Sequence, residues 1–373
     1  MKNLLYLILI IGLSLFNSCD SIHDNDSPNR IFKSFPKTEK LYSQEIIISK
    51  ETSSMGDIVI KDSILIMKNS YDRSEKLFHF FHKNSLLYLG ATGRTGKGPG
   101  EYNGARLVES IGKSDDLHIL DLNNRKLFFL NIDSILKNPV YIPYKKTSTS
   151  IQLEETRIVR ASDILIETQL SDSTFLAYLY PAFENRFVIV NDDMEVIHLF
   201  GEFPPMENKG IPKDPFLVHF LSNFYQRGTL QVNKELGKMA FSHSYMDLIE
   251  VYDLQSKLKL INIIGPDVNF PPDYQIVGNG NWKNSSPCKS CKAGYSTIVS
   301  SAKYIYALYS DKLFYDRSKS LAKYLFQFDW DGNPICKYEL DSEVSTIAYD
   351  EETNRLFALN PLLTNSILVF NLN

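Results

Sequence analysis

Tryptophan and cysteine are scarce in this chain of 373 residues, which has 2 Trp and 4 Cys, and its formal net charge is only −4. The small negative charge argues against nucleic acid as a partner, because polyanions are bound by basic surfaces. Disorder is excluded, since 43% of the residues are hydrophobic and can bury a large core. The aromatic residues are mostly Phe (23) and Tyr (21), which favour strands over helices.

Motifs of known chemistry are also missing from the sequence. None of the 7 His belongs to an H-x-x-x-H or H-E-x-x-H pair, and no G-x-S-x-G segment occurs. Carboxylates are plentiful, but the distance between two of them cannot be read from a sequence, so a glycosidase pair is left open. We expect no metal, no cofactor and no catalytic residue.

A long apolar run occurs once, at residues 4–16, shortly after Lys2. It is too short to span a bilayer as a helix, and it is typical of a secretory signal. A small residue followed by Cys19 then resembles the lipobox of bacterial lipoproteins, although an aromatic residue takes the usual aliphatic position. The resemblance implies that residues 1–18 are removed, with the net charge moving from −4 to −5 through loss of Lys2, and that Cys19 is lipidated. The alternative is an ordinary signal peptide in which Cys19 is incidental.

Residues 19–40 are polar, interrupted by proline and without hydrophobic periodicity, so they are predicted to form a flexible tether. Asp20, Asp24 and Asp26 follow Cys19 closely. In Bacteroides-type bacteria, acidic residues at this place resemble a surface-export signal for lipoproteins. A solvated linker explains them equally well.

A repeated unit, consisting of two strand-like runs joined by a polar turn, predicts the fold of residues 41–373. Complete copies occur at residues 77–93, 127–144, 186–203, 248–266 and 324–341, and a copy with the first run only occurs at 366–372. A further β-rich run precedes each copy, and weaker candidates for an innermost strand lie before some of these runs. Six units of three or four strands, without a long amphipathic helix, predict an all-β, six-bladed β-propeller.

The sixth unit ends where its outer strand is due. Residues 44–50 form a strand-like run ahead of the first unit, and we expect them to supply that strand and close the propeller. The alternative is that residues 44–50 begin the first blade.

The glycine-rich loop at residues 93–102 resembles the G-x-x-G-x-G-P-G-E-[FY] segment of a family of six-bladed, TolB-like propeller lipoproteins of Bacteroidetes. Residues 304–309 and 328–347 also resemble the last full blade of that family. The resemblance implies fold and envelope location, but no activity. Candidate binding residues in the loop are Arg94, Lys97, Glu101 and Tyr102. A phosphate-binding P-loop is disfavoured, because a proline follows where a helix would have to start.

Long irregular segments are predicted to gather on one face of the disc, because the b–c turns and the crossings between blades lie on the same side. These segments are residues 90–104, 201–216, 265–294 and 310–323. Long loops on a rigid scaffold commonly carry binding sites, so we expect this loop-rich face to be the interaction surface.

Cys288 and Cys291 form a single C-x-x-C pair in one of these segments. A structural zinc site would need a second pair, and a thioredoxin-like site would need a βαβ setting. A disulfide between Cys288 and Cys291 that staples the loop, with Cys336 free, is the favoured interpretation for an exported protein. Pairing with Cys336 is the alternative, followed by a metal or redox role.

The leading hypothesis is a monomeric lipoprotein of the outer membrane, on its periplasmic or surface side, that touches the membrane only through its lipid. Its loop-rich face would bind an envelope protein or glycan without catalysis. The alternative is an envelope hydrolase or lyase with an active site at the central channel of the propeller. A purely structural accessory protein is the third possibility.

Overall fold

The computed structural model describes residues 28–48, 55–69, 76–110, 116–138, 145–149, 151–154, 157–159, 164–179, 185–202, 227–267, 274–277 and 284–372. Within these ranges the chain is built almost wholly from strands, as its aromatic and β-branched composition favours. No helix in the described ranges is both long and apolar enough to cross a membrane. The signal segment, Cys19 and residues 19–27 lie outside the described residues.

Six blades of antiparallel sheet follow three N-terminal strands, β1 (Asn29–Ile31), β2 (Lys37–Leu41) and β3 (Ser43–Ile47). Blade 1 contains β4 (Met55–Lys61), β5 (Ile64–Asn69), β6 (Phe78–His82) and β7 (Tyr88–Thr92). After the short pair β8 (Arg94–Thr95) and β9 (Glu101–Tyr102), blade 2 contains β10 (Ala105–Ser110), β11 (Asp116–Asp121), β12 (Lys126–Asn131) and β13 (Lys145–Ser148). After β14 (Ile151–Glu154) and β15 (Arg157–Val159), blade 3 contains β16 (Ile164–Ser171), β17 (Thr174–Leu179), β18 (Asn185–Asn191) and β19 (Val196–Glu202).

The second half of the disc repeats this pattern. Blade 4 contains β20 (Gly228–Asn233), β21 (Lys238–His243), β22 (Leu248–Asp253) and β23 (Lys259–Ile264). After β24 (Tyr274–Val277) and β25 (Asn284–Pro287), blade 5 contains β26 (Tyr295–Ser300), β27 (Tyr304–Tyr309), β28 (Ala322–Asp329) and β29 (Pro334–Val344). Blade 6 contains β30 (Thr346–Asp350), β31 (Arg355–Leu359) and β32 (Ser366–Asn371). The prediction of an all-β, six-bladed propeller is confirmed.

Hydrophobic side chains fill the six spaces between neighbouring blades, with one buried cluster at each interface. The aromatic residues supply much of this packing; between blades 3 and 4, for example, Tyr178 stacks on Phe241 with ring centroids 5.5 Å apart. Blades 2 and 3 are joined further by a parallel pairing of their inner strands, β10 and β16. The core is therefore a ring of inter-blade layers around an axis.

The N-terminal segment 28–47, which we name the belt, runs along the rim of three blades. β1 pairs in parallel with β23 of blade 4, and β2 pairs in parallel with β29 of blade 5. β3 then pairs antiparallel with β32 and takes the place of the missing outer strand of blade 6. This is the place assigned to residues 44–50 from the sequence, with the strand beginning and ending earlier. The belt covers edges that would otherwise expose unpaired backbone groups.

The prediction that residues 19–40 form a flexible tether is wrong for residues 29–40, because these residues carry two rim strands of the belt. The backbone N–H of Phe32 donates to the carbonyl of Ile264 (3.0 Å), and the ring of Phe32 is 6% exposed. That ring lies 5.1 Å from Phe35 and 5.2 Å from Phe328, measured between centroids. Apolar burial therefore holds a segment whose polar composition had suggested a linker.

Blade 2 departs from the predicted hairpin at residues 127–144. A short helix, α1 (Ile132–Lys137), follows β12, and the outer strand begins later, at Lys145. The Oδ1 atom of Asn131 caps the helix by accepting from the backbone N–H of Ser134 (3.0 Å). Ile132 and Ile135 are buried, so this turn of helix extends the core at the rim.

A fully buried group of charges lies between blades 3 and 4. The carboxylate of Glu250 lies within hydrogen-bond or ion-pair distance of three basic side chains: Arg186 (Nη2–Oε2, 2.7 Å), His243 (Nε2–Oε2, 2.9 Å) and Lys259 (Nζ–Oε1, 3.3 Å). Arg186 also donates to the hydroxyl of Tyr252 (2.7 Å). Burial acts to raise the pKa of Glu250, but the charge of Arg186, the hydrogen bond with His243 and the charge of Lys259 outweigh it. The pKa of Glu250 therefore lies well below its usual value.

Candidate functional site

The inner strands of the blades surround an axial channel. One cavity of about 150 Å³ opens on the loop-rich face, and another of about 310 Å³ continues toward the opposite face, which carries the short a–b and c–d turns. The two cavities share wall residues, including Ile58, Leu107, Gln231 and Ile347, so they are two parts of one passage. This channel is the concave site that the fold itself creates.

A ring of six polar residues, one from each inner strand, lines the mouth of the channel on the loop-rich face. In blade order its members are Asp57, Arg106, Glu167, Thr229, Thr297 and Thr346. In five of the six strands the next residue is apolar: Ile58, Leu107, Leu230, Ile298 and Ile347. These apolar side chains belong to the hydrophobic layers between blades, so the mouth itself is a polar opening that suits a ligand or partner group able to form hydrogen bonds.

Each of the two carboxylates in the ring is engaged by a cation. Arg106 Nη2 lies 2.7 Å from Glu167 Oε2, and Lys68 Nζ lies 3.1 Å from Asp57 Oδ2. Burial raises the pKa of Glu167, although the charge and the hydrogen bond of Arg106 act against that rise. The mouth therefore presents donors and acceptors, including the hydroxyls of Thr297 and Thr346, rather than two converging carboxylates. The Thr229 hydroxyl is already bonded to Ser242 Oγ (3.0 Å) and to the backbone N–H of Ile298 (3.0 Å). In the described part of the chain, no three His, Cys, Asp or Glu side chains gather in a way that could hold a metal ion.

The glycine-rich loop is a self-contained turn rather than an anion cradle. Its short strands β8 and β9 pair in parallel, and the carboxylate of Glu101 accepts from the backbone N–H of Gly98 (2.8 Å). A Cβ at Gly96 would lie 2.0 Å from Glu101 Oε2, so a side chain there would displace this carboxylate from its place in the loop. The loop thus supplies its own anion at the place where a phosphate would have to bind.

Of the four candidate binding residues in this loop, two face solvent and two do not. Arg94 and Lys97 are exposed. Glu101 is used inside the loop, and Tyr102 is only 2% exposed because its ring packs against Phe128 at a centroid distance of 5.2 Å. The prediction that Tyr102 belongs to an exposed binding face is wrong, since it is a core residue between blades 1 and 2.

The loop-rich face carries exposed apolar side chains on the neighbouring blades 5 and 6, as the rim and the opposite face do elsewhere. Leu313 (48% exposed) and Tyr315 (52%) lie in the b–c loop of blade 5, and Leu362 (76%) lies in the b–c turn of blade 6. Phe314 contacts Tyr245 of the blade 4 turn, with ring centroids 5.1 Å apart, which supports the loop from below. The length of the blade 5 loop was evident from the sequence, but the exposure of its apolar residues was not.

The C-x-x-C pair lies in the crossing that leads into blade 5. The two Sγ atoms lie 2.9 Å apart, compared with roughly 2.05 Å in a disulfide bond. The carbonyl of Cys291 accepts from the backbone N–H of Phe314 (2.8 Å), so this turn is tied to the b–c loop of blade 5. Cys336 lies elsewhere, buried in the core cluster between blades 5 and 6. The Cys288–Cys291 disulfide stays a prediction.

Fold and axial mouth together define a closed six-bladed β-propeller whose loop-rich face carries a polar opening. The chain belongs to the TolB-like 6-blade propeller-like family, whose model matches residues 32–352. Among solved structures, it is similar to a member of the DUF4221 family from Bacteroides vulgatus, at 12% identity and a TM-score of 0.54, with 89% of this chain and 97% of that chain covered.

A Bacteroides fragilis protein described as a candidate exported protein also matches, at 12% identity and a TM-score of 0.49, covering 91% of this chain and 99% of that one. No curated protein matches the sequence. At these identities the similarity shows the fold alone.

Proposed function

We propose that this protein is a lipid-anchored binding module of the bacterial cell envelope, which captures a partner protein with its loop-rich face and performs no catalysis. The observation that carries the proposal is the set of exposed apolar residues on two neighbouring loops, Leu313, Tyr315 and Leu362. Aromatic and aliphatic side chains on rigid loops are the usual anchors of protein interfaces. Exposed apolar groups gathered on one face mark an interaction site more often than isolated ones do.

The axial mouth supports the same proposal. Its ring of three threonines and two ion-paired carboxylates offers hydrogen bonds to a polar group of a partner seated on the loops. Because Asp57 and Glu167 each have a cationic neighbour, their charges are largely satisfied inside the protein. Such a mouth suits recognition rather than a pair of carboxylates acting on a bond.

The partner is tested by affinity capture from native envelopes, with surface variants that separate the two faces. Tyr315→Ala combined with Leu362→Ser is expected to lower recovery of a reproducible protein partner at least about ten-fold, as loss of interface anchors does. Leu236→Ser is the matched control, since Leu236 is 49% exposed in the a–b turn of blade 4 on the opposite face. A partner retained by the double variant, or glycan recovered in place of protein, would contradict the proposal.

Anchoring is tested separately at Cys19. With Cys19→Ala, the protein is expected to leave the membrane fraction and to lose labelling by an alkyne-bearing fatty acid, because acyl chains on this residue supply the attachment. Cys336→Ala is the control, as it removes a buried thiol and keeps the signal segment intact. Unchanged membrane fractionation of the Cys19 variant would rule out lipidation at this site.

A further inference from the structure

A second cavity, of about 430 Å³, lies on the short-turn face between blades 5 and 6. It adjoins the axial channel, with which it shares Tyr349 as a wall residue, and it lies on the face opposite the proposed partner surface. We name it the tyrosine pocket after its principal side chains, which are Tyr304, Tyr306, Tyr338 and Tyr349 together with Gln327 and Asn354. Its volume falls in the range of small-molecule sites, roughly 300–1,000 Å³.

A connected set of polar groups forms the floor of the pocket. The hydroxyl of Tyr338 donates to Gln327 Oε1 (3.1 Å), and Gln327 Nε2 donates to the hydroxyl of Tyr306 (3.5 Å). All three residues are buried, with exposures of 4%, 6% and 3%. Hydroxyl and amide groups retain unused donor or acceptor capacity when they form one or two hydrogen bonds, so this floor can offer both to a ligand.

Aromatic rings form the wall of the pocket. Tyr304 and Tyr349 are half-buried, and the rings of Tyr306 and Tyr349 lie 4.8 Å apart, measured between centroids. The Tyr349 hydroxyl donates to Asn354 Oδ1 (2.6 Å), which fixes the orientation of that ring. Fixed aromatic rings present flat apolar surfaces at little entropic cost.

Charges of both signs line the rim, where Lys37 and Lys303 stand with Glu351. Lys37 of the belt is paired with Glu39, and the carboxylate of Glu351 accepts from the backbone N–H of Ala302 (3.1 Å). No single sign of charge dominates the opening, so the pocket selects neither a strong anion nor a strong cation. The complement of such a pocket is a neutral ligand with a flat apolar face and hydroxyl groups around its edge.

We propose that the tyrosine pocket binds a neutral saccharide unit, with a pyranose ring against Tyr304 and Tyr349 and its hydroxyls toward Gln327 and Asn354. The site is formed jointly by blade 5, blade 6 and the belt, and thus exists only in the closed propeller. It does not depend on the loop-rich face or on the partner proposed for that face.

Saturation-transfer-difference NMR on the purified mature protein tests this proposal. The probes are glucose, galactose, N-acetylglucosamine, cellobiose and lactose at millimolar concentration, with the open-chain polyol sorbitol as the negative probe. Transfer to the ring protons of at least one sugar, and none to sorbitol, is the expected result. Absence of transfer to all five sugars would overturn the proposal.

Variants then locate the binding. Tyr304→Ala and Tyr349→Ala are each expected to weaken the affinity for the responding sugar about five-fold or more, and Tyr349→Phe, which keeps the ring and removes one hydroxyl, about three-fold. Tyr42→Ala is the matched control and should leave the affinity unchanged, since Tyr42 is an exposed tyrosine of the belt that does not line the pocket. Melting temperatures show which variants are folded; if an alanine variant unfolds, Tyr349→Phe decides. Wild-type affinity in the folded pocket variants would overturn the assignment.

Discussion

Glu250→Ala is expected to lower the free energy of unfolding by about 3–5 kcal/mol, the cost of removing one partner from a buried ion pair. The substitution leaves Arg186, Lys259 and His243 in a dry space between blades 3 and 4 without their common carboxylate. Chemical denaturation followed by the fluorescence of the buried Trp330 measures the effect. Asp331→Ala, at a 77% exposed ion pair with Lys238, is the control and should leave the unfolding midpoint nearly unchanged.

The pH dependence of stability provides a second test of the role of Glu250. Because the folded-state pKa of Glu250 lies below its unfolded value of about 4.3, the carboxylate contributes stability that is fully present above that pH and is lost as the pH falls through the folded-state pKa. The difference in stability between wild type and Glu250→Gln is therefore expected to shrink below about pH 4. A destabilisation under about 1 kcal/mol at neutral pH would show that the network is not coupled as described.

Phe32→Ala is expected to cost about 3–5 kcal/mol, typical of a buried phenylalanine reduced to alanine. Phe32 is 6% exposed among the rings of Phe35, Phe326 and Phe328, at the place where the belt passes from blade 4 to blade 5. Loss of the ring removes one of the two buried apolar side chains that hold the belt to the rim, the other being Leu41.

The adjacent residue gives the matched control for this prediction. Ile31 is 62% exposed, and Ile31→Ala should change stability by no more than about 0.5 kcal/mol. Thermal unfolding of the two variants compares them directly. Equal, small losses in both would mean that the belt lies on the rim without contributing to the stability of the closed ring.

Blade order and loop placement were within reach of the sequence because they depend on local patterns. The apolar runs of strands such as β22 and β28 recur with polar turns between them, and the missing last strand followed from that count. The register between strands and the pairing of residues from different blades leave no such local pattern in the sequence. Glu250 and Arg186 each stand in an apolar strand, which announces a buried partner, but only the packing of blade 3 on blade 4 shows which partner it is.

The belt, the glycine-rich loop and the two cavities likewise could not be predicted from local sequence patterns. β1 and β2 are short, mostly exposed strands with little alternation, so their sequence resembles a linker. Tyr102 sits in a glycine-rich loop that predicts exposure, yet Phe78 and Phe128 from two blades cover it. The axial ring and the tyrosine pocket combine residues from different blades, at positions that become equivalent only when the ring closes.

If Cys19 is lipidated as proposed, the path of the belt determines where on the disc the membrane anchor begins. Nine residues, 20–28, separate Cys19 from β1, so even a fully extended chain reaches only about 35 Å from Cys19 to Asn29. The N-terminal segment reaches the propeller at the outer edge of blade 4, where β1 pairs with β23, and not at either face. An anchored disc would therefore be held by its rim. An attachment at the rim occupies neither face, so a protein on the loops and a saccharide on the opposite side could be held at the same time.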